Sequence, residues 1–179
     1  MKVSELGEFG LIDLLAKIVR DKGVDRLGPD RPVIGIGDDA AAWRGDTALQ
    51  LATVDTMIQN VHFSRATITW PELGWKSLAI NLSDIAAMGG VPTFALVALA
   101  LPPDTHVDAV AGIYEGLTDC ARQFKLALVG GNISRAPQIS ITITVLGSSP
   151  ENKILRRDAA RPGERIRPMA YGICLLLRE

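Results

Sequence analysis

The chain has 179 residues, 47% of them hydrophobic, and a formal net charge of -1 from 19 basic and 20 acidic side chains. That is the composition of an ordinary globular protein with one good core, and it lacks the basic surface a nucleic-acid partner needs. Cys120 and Cys174 are the only cysteines and lack metal-ligand spacing, so no zinc site or disulfide framework is indicated and the compartment reads as reducing. The opening Met1–Glu8 is polar and acidic and no apolar run reaches membrane-spanning length, so a cytoplasmic location without a membrane partner is expected.

Phe9 to Arg20 spaces Phe9, Ile12, Leu15 and Val19 three or four apart, the pattern of an amphipathic helix, and Asp21-Lys22-Gly23 ends it. After Gly28-Pro29-Asp30-Arg31-Pro32, Val33–Ile36 and Leu49–Val54 read as short strands separated by turns at Gly37-Asp38-Asp39 and Arg44-Gly45-Asp46. Thr69-Trp70-Pro71-Glu72 is a capping box with proline in the first turn, so a helix should run from Trp70 to Met88, where Gly89-Gly90 stops it. Phe94–Leu101 is expected as a buried strand, Thr105–Gln123 as a helix and Leu126–Val129 as a strand closed by a sharp Gly130-Gly131-Asn132 turn. Ile139, Ile141, Ile143 and Val145 alternate with Ser140, Thr142 and Thr144, which is a half-buried strand. The class is therefore α+β, a mixed sheet with packed helices. Ile173–Leu177 is apolar but has little chain left to pack against, which suggests a sequence ending inside or just before a second domain.

The chemistry concentrates on aspartates set among small residues: Gly35-Ile36-Gly37-Asp38-Asp39, Val54-Asp55-Thr56 and Asn81-Leu82-Ser83-Asp84. One such aspartate is most simply a turn former or helix cap; the combination points to Mg²⁺ held against phosphate oxygens, because Mg²⁺ takes oxygen ligands in a small octahedral shell. A dinucleotide site is argued against, since two adjacent carboxylates would face the pyrophosphate and Trp43-Arg44-Gly45 cuts short the helix that should hold it. Ser77, Asn81 and Asp84 form one polar stripe on an otherwise apolar helix, so a solvated face explains them poorly and buried partners are expected. Were Asp39, Asp55 and Asp84 to converge, each close pair would repel by about 4 kcal/mol at moderate effective dielectric, and cations must offset this. Gly130-Gly131-Asn132 with Arg135 reads either as a plain strand connection or as a phosphate cradle. His62 is open between core residue, substrate contact and acid/base; His106 reads as structural.

Gly-Ile-Gly-Asp-Asp, Val-Asp-Thr with Asn60-Val61-His62-Phe63, the run Lys76–Gly89 and Gly130-Gly131-Asn132 together resemble the thiamine-monophosphate kinases of the aminoimidazole-ribonucleotide-synthetase-like superfamily, in order from about Glu8 to Glu164. The resemblance implies transfer of the ATP γ-phosphoryl group to thiamine monophosphate, with Mg²⁺ as cofactor and no protein nucleophile. It implies a homodimer whose sheets pair into a shared barrel. It places Asp39, Asp55 and Asp84 as Mg²⁺ ligands, with the backbone at Thr53 and Val54 and the Asn132 position assisting; His62 on thiamine phosphate; and Tyr114, Gly131, Asn132 and Arg157 on the ATP side.

Two departures stand out. Asn132 occupies a position where many members carry Asp, and the likeness fades after Arg165, so residues 1–164 are expected as the ATP/Mg²⁺ and dimerisation domain and 165–179 as the start of a truncated or altered second one. The competing readings are another superfamily synthetase, such as selenophosphate synthetase, for which no reactive Cys or Lys near the N-terminus is evident, and a dimerisation module without turnover.

Overall fold

The structure, a computed structural model, describes residues 1–25, 36, 48–149 and 154–155. The expected strand Val33–Ile36, both turns before Leu49, Asp39, Arg157 and everything expected for 165–179 thus lie wholly or almost wholly outside the described residues. In chain order the elements are α1 (Val3–Asp21), β1 (Leu49–Ile58), α2 (Trp70–Ala87), β2 (Val91–Leu101), α3 (Val107–Phe124), β3 (Ala127–Arg135) and β4 (Ser140–Ser149). They build one mixed four-stranded sheet in the order β1-β4-β2-β3, with β4 antiparallel to both its neighbours and β3 parallel to β2. The α+β class read from the sequence is borne out.

Helix α2 begins where its local chemistry dictates. The Thr69 hydroxyl accepts from the Glu72 amide at 3.4 Å, and the Glu72 carboxylate accepts from the Thr69 amide at 2.8 Å. These bonds satisfy two amides that a helix start otherwise leaves without partners; the Thr69 hydroxyl, which donates to the Glu72 carboxylate at 2.6 Å, and then the Thr69 amide hold the Glu72 carboxyl below its usual range. The helix stops at Ala87, with Gly89 in the left-handed region at φ 73°.

Helix α1 starts earlier than its periodicity suggests, at Val3, and is kinked at Gly7, whose φ of 76° only glycine adopts without strain. The kink corrects the expected apolar stripe. Leu11, Leu15 and Val19 are buried, whereas Phe9, two residues past the kink, is 82% exposed.

The alternation in β4 holds. Ile141, Ile143 and Val145 are fully buried beneath the helices, and the residues between them are half-buried on the opposite face. Each such side chain contributes about 1.5–3 kcal/mol when wholly removed from water. Register carries the pattern sideways, because residues paired across a sheet share a face: Val97 and Asp55 flank Ile143, and Ala95 and Thr53 flank Val145. The covered face of β1 thus presents Leu51, Thr53, Asp55 and Met57, and the open face Ala52, Val54, Thr56 and Ile58. On that open face Phe94, Ala127 and Val129 form a small apolar cluster with Leu96 and Leu146 beside it.

Helices α2 and α3 touch backbone to backbone. A Cβ on Gly116 would stand 1.8 Å from the Pro71 carbonyl oxygen, and one on Gly74 1.9 Å from that of Ile113. Only glycine permits so close a crossing, which draws Leu73, Leu78, Ile113 and Leu117 into full burial.

The sharp turn expected at Gly130-Gly131-Asn132 is overturned. These residues continue β3, pairing with Leu96, Val97 and Ala98 across a register shift at Ala95/Leu96. Glycine is needed at 131 because the β2 backbone is close, a Cβ there falling 1.9 Å from the Val97 carbonyl oxygen. A strand paired in this way is not a nest of free amides.

Candidate functional site

The site is built where α2 lies on β1. The Thr53 hydroxyl donates to Asp84 Oδ2 at 2.9 Å, joining mid-strand to the last turns of the helix. Asp55 is two residues along β1 on the same face, opposite Ile143. Asp55 and Asp84 have no ion-pair partner among the described residues; the ion pairs described, Lys17–Asp21, Lys22–Asp119 and Arg122–Asp119, lie elsewhere. This is a hydroxyl and two carboxylates without a compensating cation among the described residues.

Such an all-oxygen set suits a hard cation such as Mg²⁺ and not zinc. The described residues alone do not complete it, since no three of His, Cys, Asp or Glu among them come close enough to hold a metal. Asp39, the third expected carboxylate, lies outside the described residues.

Two members of the stripe on α2, Ser77 and Asn81, are buried as their apolar surroundings required, whereas Asp84 is exposed. Ser77 donates to the Leu73 carbonyl at 2.7 Å, and Asn81 Nδ2 donates to the Ser77 carbonyl at 3.1 Å. Asn81 is fully buried, and its Oδ1 has no hydrogen-bond partner among the described residues. That orphan oxygen and the Thr53 hydroxyl were missed by sequence reasoning. The signal for Asn81 was its place in the stripe; the signal for Thr53 was its two-residue spacing from Asp55.

His62 stands beyond the end of β1, in a tight turn that Asn60 enters with φ 62°. Its Nδ1 accepts from the Ile58 amide at 3.1 Å. A ring nitrogen that accepts carries no proton, so in the neutral ring the proton is on Nε2, an exposed donor suited to an anion. Ile58, against which His62 folds, is about 10 Å from Asp55 along the strand.

The remaining expected residues are apart from this group. Val54 is 59% exposed on the open face, so only its backbone is near the Asp84 side. Gly131 and Asn132 are on β3, separated from β1 by β4 and β2, about 14 Å from β1 at ordinary strand spacing. Asn132 pairs with Ala98, in the row of Thr142 and Thr56, and so shares the open face and not the face of Thr53. Tyr114 is on α3 within the core, 6% exposed, and burial pushes its hydroxyl above the usual range. His106 ends the loop before α3, consistent with a structural role.

The family model for AIR synthase related protein, N-terminal domain, matches residues 37–149. The chain belongs to this family. It is 38% identical over 171 residues to the thiamine-monophosphate kinase of Synechococcus elongatus, covering 95% of this chain and 48% of that protein. It is 35% identical to the enzyme of that name from Bacillus subtilis, covering 97% and 54%. In fold it resembles the crystal structure of thiamine-monophosphate kinase from Stenotrophomonas maltophilia K279a, with a TM-score of 0.69 at 35% identity over 87% of this chain and 46% of that one. A structure described as AaThiL complexed with AMPPCP and TMP gives 0.62 at 35% identity, over 90% and 47%. The chain spans about half the length of these relatives. The resemblance read from the sequence is borne out.

Proposed function

We propose that this chain supplies the nucleotide- and Mg²⁺-binding half of an ATP-dependent thiamine-phosphate kinase, which phosphorylates thiamine monophosphate to thiamine diphosphate. The observation that carries the reading is the pairing of Asp84 with Thr53 beside Asp55, three oxygen-bearing side chains without a counter-cation among the described residues, in a chain 35–38% identical along nearly its whole length to thiamine-monophosphate kinases. Asp55, Asp84 and Asp39, with the backbone at Thr53 and Val54, would hold the cation. When bound, Mg²⁺ would neutralise charge on the phosphoryl group in transfer.

The chain's own residues then have defined tasks. Thr53 fixes the rotamer of Asp84, whose Oδ1 is left toward the cation. His62 donates from Nε2 to the phosphate of the acceptor, which needs no base because that phosphate oxygen is already ionised. Tyr114, Gly131, Asn132 and Arg157 serve the ATP side. In one chain Asn132 lies too far from Asp84 to share its cation, so any metal contact it makes is to a separate ion on the ATP side. A second copy of the chain is proposed to pair over the open sheet face as a homodimer, forming a barrel. Residues 1–164 form this domain and 165–179 begin another, and the location is cytoplasmic.

Calorimetric titration of a full-length version with thiamine monophosphate and Mg-ATP, alongside turnover, tests the reading. Saturable binding of both with thiamine diphosphate as product is expected; binding of neither overturns it. The half-length span of the chain also favours a second reading, a pairing module without turnover of its own. Turnover by the isolated 179 residues is expected to be undetectable or nearly so. Robust product formation by them would exclude the module.

A further inference from the structure

The orphan oxygen of Asn81 has a place in this site. Asn81 Nδ2 is committed to the Ser77 carbonyl, and the reverse assignment of the amide would set two oxygens against each other. Oδ1 is therefore the atom turned away from the helix backbone. The neighbours of Asn81 one turn on are Asp84, which meets Thr53, and Ile85, whose Cγ2 is 3.1 Å from where a Cβ on Gly147 would stand. Asn81 lies between these two rows and so faces the sheet with them.

Its height over the sheet follows from the helix direction. Gly90, just past α2, meets Leu51, and Asp84 meets Thr53, so moving back along the helix moves forward along β1. Three more residues back, about 4.5 Å, bring Asn81 over the gap between Thr53 and the next covered position of β1, which stands about 6.6 Å on. That position is Asp55. The Asp55 carboxylate and the amide oxygen are both acceptors, and a buried acceptor without a donor, as Oδ1 is, is costly. A cation carrying water supplies what each lacks.

We propose that Asn81 is a positioning residue of the cation site, its Oδ1 accepting a hydrogen bond from a water bound to a divalent cation that Asp55 and Asp84 hold. This rests on the Mg²⁺ reading above and extends it to a residue that the family resemblance did not single out. The amide orients the hydrated cation and selects for one that keeps its water, as Mg²⁺ does.

The test uses the whole 179-residue chain, with Mn²⁺ as the probe, read by electron paramagnetic resonance, and thermal unfolding in EDTA as the second readout. Asn81→Leu replaces the orphan acceptor by an apolar side chain of similar size, so in EDTA the melting temperature should hold or rise. Its Mn²⁺ affinity should fall about tenfold, as losses of outer-shell partners do. Ser77→Ala, which breaks only a helix-internal bond, should leave Mn²⁺ affinity unchanged. A lower melting temperature for Asn81→Leu in EDTA with undiminished Mn²⁺ binding would mean a structural amide satisfied by trapped water, and would overturn the proposal while leaving the cation reading intact. Absence of any Mn²⁺ binding by the unmodified chain would overturn both. If Asn81→Leu does not fold, Asn81→Ala is read by the same two measures; failure of both to fold assigns the amide to the core and ends the proposal.

Discussion

Replacing Gly116 by alanine should be among the most damaging single-methyl additions in the molecule. The new Cβ would stand 1.8 Å from the Pro71 carbonyl oxygen, 2.7 Å from its carbon and 2.8 Å from the Trp75 nitrogen. All three are backbone atoms of α2, so no side chain can swing aside. Restoring ordinary contact requires α2 and α3 to part by roughly 1.5 Å, which loosens Leu73, Leu78, Ile113 and Leu117 together. Overpacking of this kind costs about 1–3 kcal/mol, and the absence of any yielding neighbour puts this site at the upper end. For a chain of this size, about 3 kcal/mol lowers the melting temperature by roughly 6–12 °C. Thermal unfolding by circular dichroism measures it. Gly10→Ala is the comparison: its Cβ would stand 3.0 Å from Leu6 Cγ, a side chain that need give only a few tenths of an ångström, so the change should cost far less than Gly116→Ala. A Gly116→Ala melting temperature within a degree of the parent would refute the close crossing, and with it the account of how α2 is held against the sheet.

In a full-length protein, Asp84→Asn should abolish Mg²⁺-dependent turnover while the melting temperature stays near that of the parent; near-normal activity at ordinary Mg²⁺ would reject its role. His62→Ala should raise KM for thiamine monophosphate more than it lowers kcat, and the opposite split would indicate acid/base work. Burial pushes the Cys120 thiol up to about 12, against about 8.5 when unfolded. The unfolded chain therefore ionises first, so this contribution is intact below about pH 8.5 and is lost as pH rises toward 12; Cys120→Ala should flatten that part of the stability profile, and an unchanged slope would contradict the burial. Val54→Asp, on the open sheet face, should convert the expected dimer to a monomer by light scattering, and a monomeric parent chain would remove the basis for the pairing.

What was legible in the sequence was local. The capping box at Thr69 and Glu72 sets the start of α2 within its own first turn, and the alternation from Ile139 to Val145 sets β4 from its own residues, so both were readable without neighbours. Gly130-Gly131 has the local chemistry of a turn, and only the pairing with Leu96 and Val97 draws it into a strand. Phe9 fits a helical stripe by count, yet Gly7 bends the chain just before it and turns it to solvent. In the site, the polar stripe of Ser77, Asn81 and Asp84 was visible because it interrupts an apolar helix. The bond from Thr53 to Asp84 was not, because it depends on the height at which α2 settles over β1, and that is decided by glycine contacts with α3 and by Ile85 against Gly90 and Gly147.

Strand β1 shows why the two proposed tasks of this domain depend on each other. Its side chains alternate, so Thr53 and Asp55 meet α2 while Val54 and Thr56 stand on the open face beside Thr144 and Thr142 of β4. The Thr56 and Thr142 hydroxyls bond to each other at 2.9 Å across that open face, so the row is set in position before any partner covers it. A single-residue slip of β1 would exchange the two sets, turning the carboxylate of Asp55 toward the proposed subunit interface and the Val54 side chain into the cation site. The register that keeps the site intact is therefore the register that keeps the pairing face free of charge. Mutations that weaken β1–β4 pairing should then lower cation binding and dimerisation together, whereas Val54→Asp and Asp84→Asn, each confined to one face, should separate them.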